Sequence, residues 1–444
     1  MHLYICNMKR TILDELKLWK SSKKRKPLVL RGARQVGKTW AMKTFGESEF
    51  EQMIYVNFER DKALQQLFEQ DFDLDRILLA LQVQTGIVPK PEKTLIIFDE
   101  IQEAKGGLTV LKYFSEEKPE FPLIAAGSLL GVSLSGQSFP VGKVDFKEMY
   151  PMTFYEFLNA MNEEQLLSLI QNHEWDLLNT FKSKITGLLK QYYFTGGMPE
   201  VVDAFVNERD FKIVRNIQEN ILLSYDNDFS KHAEASLIPK ISLLWHSLPA
   251  QLAKENKKFV YGLVKEGARA REYDRALNWL EQYGLTHRVE RISKPGFPLK
   301  AYADLNAFKL FASDVGLLAA LAGLNEKILL EGDAMFTEFK GALTEQFVLQ
   351  QLISEAQIKP FYWSHEQSTG EIDFIFDYKN SFYPVEVKAE TNLQAKSLVN
   401  FNKKYKPKKS LRFSLSEFNN HDWVTDIPLY AVGEVKSVLD EGGF

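Results

Sequence analysis

The sequence predicts an α/β protein in which a parallel-sheet core is followed by a helical region and a second α/β domain. Short apolar runs at Met53–Phe58, Thr94–Phe98 and Leu123–Ala126 alternate with helical patterns, as strands of a parallel sheet alternate with crossover helices. Near the C-terminus, Glu371–Phe376 and Phe382–Lys388 predict two further strands joined by a polar turn. The helical patterns between these two groups of strands place them in different domains.

A segment with two glycines, Gly32–Thr39 (GARQVGKT), fits the phosphate-binding P-loop pattern G-x-x-x-x-G-K-[ST]. The apolar run Pro27–Leu30 predicts a strand before it, and Trp40–Phe45 predicts a helix after it. In this context, backbone N–H groups of the loop and the positive end of the helix bind β- and γ-phosphates. We expect Lys38 to reach the same phosphates and the Thr39 hydroxyl to hold Mg2+.

Two acidic residues end the apolar run Leu95–Phe98. The run does not alternate, which suits a central parallel strand covered on both faces, and ligands bind at the carboxyl ends of such strands. We expect Asp99 to hold Mg2+ through a water molecule and Glu100 to orient or deprotonate the attacking water. A solvated loop or a helix cap is the alternative, but the upstream P-loop favours an ATP site.

A small polar residue follows the next predicted strand, in the pair Gly127-Ser128. Ser128 at this place would sense the γ-phosphate, and an ordinary strand-ending turn is the alternative. The residues predicted to bind the nucleotide are Gly32, Ala33, Arg34, Gln35, Val36, Gly37, Lys38, Thr39, Asp99 and Ser128.

Composition excludes several classes of protein. The 444 residues suit two to four domains, and a hydrophobic content of 45% is ample for their cores. A net charge of −4 argues against a generally basic nucleic-acid coat, so a DNA contact would use local patches. The single Cys6 allows no intramolecular disulfide, and the scattered histidines predict no zinc site. Without a long apolar run for a membrane span, we expect a cytoplasmic protein whose residues 1–7 are a leader.

The middle of the chain predicts a winged helix between a helical region and the C-terminal domain. The predicted divisions are the ATPase core at residues 1–154, the helical region at 155–230, the winged helix at 231–330 and the α/β domain at 331–444. Helices at Ser236–Lys254 and Arg271–Tyr283 precede a hairpin of Leu285–Ile292 and Leu299–Tyr302. Three arginines would line a DNA-facing helix, namely Arg269, Arg271 and Arg275. An interdomain packing module with a solvated charged face is the alternative.

A second group of charged residues lies on the two C-terminal strands. Period-two geometry puts Glu386 and Lys388 on one face, and a hairpin register would place Asp373 across from them. Two carboxylates hold a divalent ion, and a nearby lysine orients a water or stabilises the charge on the phosphate. Glu345, on the predicted helix Gly341–Ile353, would supply a further carboxylate to the metal.

This D-x(n)-E-x-K layout is that of PD-(D/E)xK nucleases, whose restriction-endonuclease-like fold we expect for the C-terminal domain. It makes Asp373, Glu386 and Lys388 candidate catalytic residues beside Glu100. The alternative for the trio is a surface ion pair on an edge hairpin. The sequence does not decide between an active nuclease and a fold that has lost its activity.

A basic run follows the nuclease-like pattern. Its cations are Lys403, Lys404, Lys406, Lys408, Lys409 and Arg412, with Phe401, Tyr405 and Phe413 between them. Beside a nuclease-like site, such a run is typical of a surface that contacts the phosphate backbone of DNA. A solvated helix end is the alternative.

Taken together, these landmarks resemble a bacterial and archaeal family of AAA-type ATP-binding proteins with a C-terminal domain of unknown function, DUF4143. The resemblance covers nearly the whole chain. It is carried by Arg31–Thr39, Asp99–Gln102, Gly127-Ser128, Tyr150–Phe154, Gly196–Glu200, Ser313–Leu318, Glu371–Phe374 and Val385–Lys388. It implies an AAA-type ATPase core, a winged helix and a PD-(D/E)xK-like tail, and it implies no particular biological role.

One position departs from the family pattern. Such proteins usually carry a Gly-Arg pair after the sensor strand, where this chain has Gly142-Lys143. If that arginine contacts ATP on a neighbouring subunit, Lys143 is a weaker replacement because it lacks the planar guanidinium fork. Arg34, inside the loop, would compensate in part.

Two functions fit these patterns. The first is an Mg2+-dependent ATPase that controls a DNA-facing tail, which would be a metal-dependent nuclease. The second is a nucleotide-gated switch or scaffold whose tail only binds DNA or a protein partner. Homo-oligomers are expected under both, because AAA-type cores often place ATP at subunit boundaries, whereas no membrane partner is expected.

Overall fold

The computed structural model describes residues 8–70, 72–127, 142–254, 257–326, 337–365, 370–391 and 395–442. Residues 1–7, expected to be a leader, and Ser128, the predicted γ-phosphate sensor, lie outside the described residues. The chain divides into two compact units. Their residues are Lys9–Tyr150 with Gln282–Leu285 in the first unit, and Met1–Met8, Pro151–Glu281 and Thr286–Phe444 in the second.

The first unit is a parallel sheet covered by helices. Its elements are α1 (Thr11–Ser21), β1 (Leu28–Arg31), α2 (Lys38–Glu49), β2 (Gln52–Asn57), α3 (Lys62–Gln70), α4 (Leu74–Thr85), β3 (Thr94–Asp99), α5 (Gly107–Glu117), β4 (Leu123–Ala126) and β5 (Asp145–Glu148). The strand order is β2-β3-β4-β1-β5, and every neighbouring pair is parallel. The predicted parallel sheet is therefore confirmed. Because β1 and β3 flank β4, the P-loop after β1 and the acids that end β3 meet at one edge of the sheet.

Strand β3 explains why the run Leu95–Phe98 does not alternate, since all six of its residues are buried. The Phe98 ring centroid lies 5.4 Å from those of both Phe58 and Phe68. Full burial of such a side chain stabilises a fold by about 2 kcal/mol. This core fixes the strand whose last residue is Asp99.

The second unit combines a helical region with an eight-stranded mixed sheet. Its helices are α6 (Phe154–Ala160), α7 (Glu164–Gln171), α8 (Trp175–Thr180), α9 (Lys182–Thr195), α10 (Pro199–Glu208), α11 (Phe211–His232), α12 (Ile238–Leu252), α13 (Ala270–Gln282), α14 (Val315–Leu321), α15 (Thr337–Ser354), α16 (Lys396–Tyr405) and α17 (Val435–Glu441). Its strands are β6 (Thr286–Ile292), β7 (Ala303–Ala312), β8 (Phe361–Ser364), β9 (Glu371–Tyr378), β10 (Ser381–Val387), β11 (Ser410–Ser414), β12 (Asn419–Asn420) and β13 (Val424–Pro428). They follow the order β12-β13-β11-β10-β9-β8-β6-β7.

The β9–β10 hairpin is tighter than the sequence predicts. Only Lys379 and Asn380 lie between the strands, and both have positive φ values, 44° and 62°. Two left-handed residues form the turn that matches the natural twist of a hairpin. The turn fixes the register, which pairs Val385 with Phe374.

The predicted hairpin of the winged helix is partly wrong. Strand β6 is as expected, but Leu299–Tyr302 is a 3-10 turn and the second strand is β7. The turn forms because Leu299 is fully buried and its N–H donates to Asp377 Oδ2 at 2.9 Å. Strand β6 also pairs with β8, so this hairpin belongs to the eight-stranded sheet.

Three of the segments that carry the family resemblance meet inside the second unit. The fully buried Asp314 accepts hydrogen bonds from the N–H groups of Gly197 at 2.6 Å and Leu317 at 2.9 Å. The N–H group of Met152 donates to the Gly197 carbonyl oxygen at 2.6 Å. We name the segments Met152–Phe154, Gly196–Met198 and Asp314–Leu317 the buried node.

Candidate functional site

The P-loop has the backbone that its glycines predict. Gly32 and Gly37 have φ values of 134° and 96°, in the region that favours glycine. A Cβ atom at Gly32 would overlap the carbonyl oxygen of Met149, so no larger residue fits without displacing the backbone. The loop leads into α2, whose first residue is Lys38. The predicted strand, loop and helix therefore form as one phosphate-binding element.

Lys38 is buried within this loop. Its Nζ donates to the carbonyl oxygens of Gly32 at 2.8 Å and Ala33 at 2.7 Å. Burial lowers the pKa of Lys38 to about 8, although Glu100 and Asp99 act in the opposite direction. A buried ammonium of this kind is stabilised by an anion, and the phosphates of a nucleotide would supply one.

Thr39 and Asp99, predicted from separate motifs, lie together. Thr39 Oγ1 donates to Asp99 Oδ2 at 2.7 Å, and the backbone N–H of Glu100 donates to Asp99 Oδ1 at 3.1 Å. A hydroxyl and a carboxylate are hard oxygen donors of the kind that Mg2+ prefers. The residues present therefore fit an Mg2+ ion.

Glu100 has a left-handed backbone, with φ 53° and ψ 45°. Such conformations are costly for residues other than glycine and cluster at functional sites. The side-chain amide of Gln102 donates to Glu100 Oε2 at 2.6 Å. Gln102 therefore orients the carboxylate that we expect to act on water.

Sequence reasoning missed two residues that support this site. The Tyr55 hydroxyl donates to Asp99 Oδ2 at 2.8 Å. The buried Arg10 donates to the carbonyl oxygens of Val36 at 3.0 Å and Tyr150 at 2.8 Å. Neither residue belongs to a motif, so only the register of the sheet and the position of α1 reveal them.

Lys143 stands where related proteins carry an arginine, and Arg34 was expected to compensate in part. The two side chains have different surroundings. Lys143 forms an ion pair with Glu116, with 2.9 Å between Nζ and Oε1. Arg34 lies close enough to Lys38 for its charge to contribute, after burial, to the lowered pKa of Lys38.

The C-terminal trio lies as the sequence predicts. The β9–β10 register ends with Val385 paired to Phe374, and Asp373 lies close enough to Glu386 for their charges to interact. Lys388 Nζ lies 2.6 Å from Glu386 Oε1, and the Val387 N–H donates to Asp373 Oδ2 at 2.8 Å. The two-residue hairpin turn thus brings together the carboxylates and the lysine of the D-x(n)-E-x-K pattern.

Glu345 has a different environment from the other two carboxylates. Its Oε1 pairs with Lys257, and its Oε2 lies 3.8 Å from the ammonium of Lys309, which also pairs with Glu371. Burial works against ionisation, but these lysines hold the pKa of Glu345 below its usual range. Lys257, Lys309 and Glu371 were missed, although a lysine inside the apolar run Ala307–Ala312 was a signal.

The pKa values of Asp373 and Glu386 are shifted upward, in the opposite direction to that of Glu345. Burial, with the neighbouring Glu345 and Glu386, raises the pKa of Asp373 well above its usual range. Burial also raises the pKa of Glu386, despite its contact with Lys388. A divalent cation would stabilise the ionised forms of these two carboxylates, and Asp373 and Glu386 would be the residues that hold it. Among the described residues, no three His, Cys, Asp or Glu side chains are arranged to hold a metal.

The basic run divides into exposed and buried cations. Four lysines at or after the end of α16 are exposed, namely Lys403, Lys404, Lys406 and Lys408. Lys409 is buried against the His421 carbonyl oxygen at 2.5 Å, and Arg412 is buried in a two-point contact with Asp426 at 2.6 and 2.9 Å. Among the aromatic residues, Phe401 and Phe413 are buried. The expectation that the whole run faces DNA is therefore wrong for Lys409 and Arg412, because both side chains are buried and bonded to residues of their own unit.

Helix α13 matches the prediction for the second helix of the winged helix. Its buried face contains Tyr273, Ala276, Leu277, Trp279 and Leu280. The arginines Arg269, Arg271 and Arg275 are exposed. Arg275 lies 2.5 Å from the exposed Glu234, and exposed pairs of this kind stabilise a protein by about 1 kcal/mol or less.

Three family models match parts of the chain. An AAA domain matches residues 24–158, and the domain of unknown function DUF4143 matches residues 340–431. A further domain of unknown function, DUF8612, matches residues 186–328 and was not expected. No curated protein has significant sequence similarity to the chain.

Several solved structures align with most of the chain at low similarity. The Walker-type ATPase PABY2304 of Pyrococcus abyssi is 15% identical with a TM-score of 0.44, covering 71% of this chain and 95% of its own. Cdc6p from Pyrobaculum aerophilum is 11% identical, with a TM-score of 0.29 and coverages of 74% and 97%. The Orc1 protein of Aeropyrum pernix, solved in complex with DNA, is 12% identical, with a TM-score of 0.28 and coverages of 73% and 95%. At these values the likenesses carry no functional argument.

Within the described residues, no helix combines the length and the apolar character needed to cross a bilayer.

The P-loop and the acidic strand end lie inside the segment that matches the AAA domain. The β9–β10 hairpin lies inside the segment that matches DUF4143. The chain is therefore an AAA-type P-loop ATPase with a C-terminal DUF4143 domain.

Proposed function

We propose that this ATPase hydrolyses ATP with Mg2+ through Lys38, Thr39, Asp99 and Glu100. The observation that carries the proposal is the 2.7 Å contact between Thr39 and Asp99, beside the buried Lys38. Lys38 would exchange its bonds to loop carbonyls for bonds to phosphate oxygens. Mg2+, when bound, would supply positive charge that neutralises the negative charge developing on the phosphates. Thr39 and Asp99 would hold that ion.

Glu100 would position the attacking water and accept its proton. Its carboxylate follows the metal ligand Asp99 directly and is oriented by Gln102. A general base in this place typically accelerates a reaction by about 10²- to 10⁴-fold. The experiment that tests the assignment compares the ATP turnover of the wild type with that of the Glu100→Gln variant.

We further propose that the nucleotide state controls a DNA-facing C-terminal domain. The support is the cluster of four exposed lysines at the end of α16, in a chain whose net charge is −4. Two of its aromatic neighbours, Phe401 and Phe413, are buried, and the third, Tyr405, packs against Trp363 and Phe401. The cluster would therefore contact phosphates and not stack on bases. Binding through it would therefore depend on salt more than on DNA sequence.

Removing the four charges is expected to weaken DNA binding and its salt dependence together. We expect the variant Lys403→Gln, Lys404→Gln, Lys406→Gln and Lys408→Gln to make the slope of log affinity against log salt less negative, by up to about 3.6. The matched control replaces four exposed lysines of the first unit, Lys17, Lys62, Lys90 and Lys93. Titrations of labelled duplex DNA at several salt concentrations measure both, and an equal loss in the control would contradict a specific surface.

A second candidate function is metal-dependent cleavage of DNA by the same domain. The observation that favours it is the hydrogen bond from the Val387 N–H to Asp373 Oδ2 at 2.8 Å, beside Lys388 Nζ at 2.6 Å from Glu386 Oε1. Asp373 and Glu386 would hold a divalent ion, and Lys388 would orient the attacking water. Such an ion lowers the pKa of bound water and stabilises phosphate charge. Lys257 and Lys309 already lie against the two carboxylate oxygens of Glu345, so we do not include Glu345 among the metal ligands.

Nicking of supercoiled plasmid with Mg2+ or Mn2+, with and without ATP, tests this candidate. We expect the Asp373→Ala variant to lose the activity, at least about a hundredfold, because one of two metal ligands is removed. Asp440→Ala is the matched control, since Asp440 is an acid of the same unit that pairs with Lys379. No cleavage by a folded wild type that binds ATP would favour a nucleotide-gated switch whose tail only binds a partner.

A further inference from the structure

Tyr55 lies on the edge strand β2, beside the predicted metal ligand. Strand β2 pairs with β3 in a register that aligns Asn57 with Asp99. The Tyr55 hydroxyl lies 2.8 Å from Asp99 Oδ2, the same oxygen that accepts a hydrogen bond from Thr39. Tyr55 thus contacts Asp99 and belongs to none of the motifs that predict the ATP site.

The direction of the Tyr55 hydrogen bond follows from its neighbours. Asn57 Oδ1 accepts the backbone N–H groups of Glu59 at 3.0 Å and Arg60 at 3.2 Å. This fixes the amide so that Asn57 Nδ2 faces the Tyr55 oxygen, at 3.5 Å. Because the tyrosine oxygen already faces a donor, its single hydrogen is directed to Asp99.

The ring of Tyr55 is held as well as its hydroxyl. The ammonium of Lys43, on α2, lies 3.9 Å from the ring centroid. A cation over an aromatic face is attracted by the ring and restrains it. Tyr55 therefore connects α2, which follows the P-loop, with the end of strand β3.

We propose that Tyr55 is a positioning residue that keeps Asp99 in the orientation needed to hold Mg2+ together with Thr39. The inference rests on the proposed Mg2+-dependent ATP site. Each carboxylate oxygen of Asp99 has a donor besides Thr39, since the Glu100 N–H binds Oδ1 and Tyr55 binds Oδ2. When the Thr39 hydroxyl turns to the ion, these two donors still fix the carboxylate. Partners of this kind commonly contribute about 10- to 100-fold to metal affinity.

A purely structural role for Tyr55 makes a different prediction. If the tyrosine only packed the sheet, its loss would disturb the loop and weaken nucleotide binding whether or not Mg2+ is present. If it positions Asp99, its loss weakens only the part of nucleotide affinity that depends on Mg2+. The ratio of affinities with and without Mg2+ separates the two.

The experiment measures binding of a fluorescent ATP analogue to the full chain in Mg2+ and in EDTA. For Tyr55→Phe, we expect the gain in affinity from Mg2+ to fall about tenfold, with the affinity in EDTA changed by less than about twofold. The matched control is Tyr113→Phe, which makes the same change at a tyrosine of α5 whose ring contacts Phe72. We expect the control to keep the full gain.

Three outcomes would overturn the inference. Tyr55→Phe could keep the full gain from Mg2+, or it could lose affinity equally in both buffers. The third outcome is a wild type that binds the analogue without any gain from Mg2+, which would also overturn the proposed Mg2+ site. The first two outcomes leave that site standing, so the two failures are distinguishable. Circular dichroism melts of the variants establish that each is folded.

Discussion

Replacing Glu100 by Gln is expected to lower the rate of ATP hydrolysis at least about a hundredfold while the affinity for ATP stays nearly unchanged. Glutamine has the shape of glutamate, and its carbonyl oxygen can still accept the hydrogen bond from Gln102. It cannot take a proton from the attacking water. The loop, Lys38 and Thr39 are untouched, so the phosphates keep their binding partners.

Steady-state turnover with excess Mg2+ and binding of a fluorescent ATP analogue measure the two quantities. Glu103→Gln is the matched control, because Glu103 is an acid of the same 3-10 turn that follows Asp99. The control is expected to turn over ATP like the wild type. Equal turnover by Glu100→Gln and the wild type would remove Glu100 from catalysis and favour a switch that responds to nucleotide binding alone.

The parts of this site that sequence reasoning finds are those encoded by local patterns. The P-loop needs only a strand, a spaced pair of glycines and a helix, all within one short segment. The acidic pair is recognised because it ends an unbroken apolar run. The contact between Thr39 and Asp99 could then be expected, since the loop before Thr39 follows one strand of the parallel sheet and Asp99 ends another.

The parts that it misses depend on residues far apart in the chain. Lys257 and Glu345 form a buried pair across 88 positions, and neither side chain indicates the other. Tyr55 alternates with buried residues of β2 as any half-exposed strand residue does, so its contact with Asp99 follows only from the register. Strand β5 (DFKE) has no apolar run, because it pairs only with β1 at the edge of the sheet and is not fully buried.

Replacing Gly196 by Ala is expected to lower the free energy of unfolding of the second unit by about 3 kcal/mol or more. The backbone of Gly196 has φ 67° and ψ −163°, a region that is essentially restricted to glycine. A Cβ there would also overlap the carboxylate of the fully buried Asp314. Moving that carboxylate would break its buried bonds to the N–H groups of Gly197 and Leu317, and buried donors left without an acceptor are costly.

Gly187→Ala is the matched control. Gly187 lies within α9, the helix that ends one residue before Gly196, and a Cβ at Gly187 would meet no other atom within 4 Å. Alanine in the interior of a helix is favoured over glycine by about 1 kcal/mol, so the control is expected to be slightly more stable than the wild type. Five of the seven tryptophans lie in the second unit, so their fluorescence during denaturation by urea reports mainly on that unit.

If Gly196→Ala unfolded at the same urea concentration as the wild type, the buried node would accommodate the added methyl group with no loss of unfolding free energy. That result would require Asp314 to find other donors, although it lies where three distant segments of the chain meet. A loss of unfolding free energy in Gly196→Ala but not in Gly187→Ala would give a physical reason for the presence of Gly196, Gly197 and Asp314 in the segments that carry the family resemblance. Their role would then be to hold the second unit together, separate from the chemistry of Lys38 and Asp99 in the first unit.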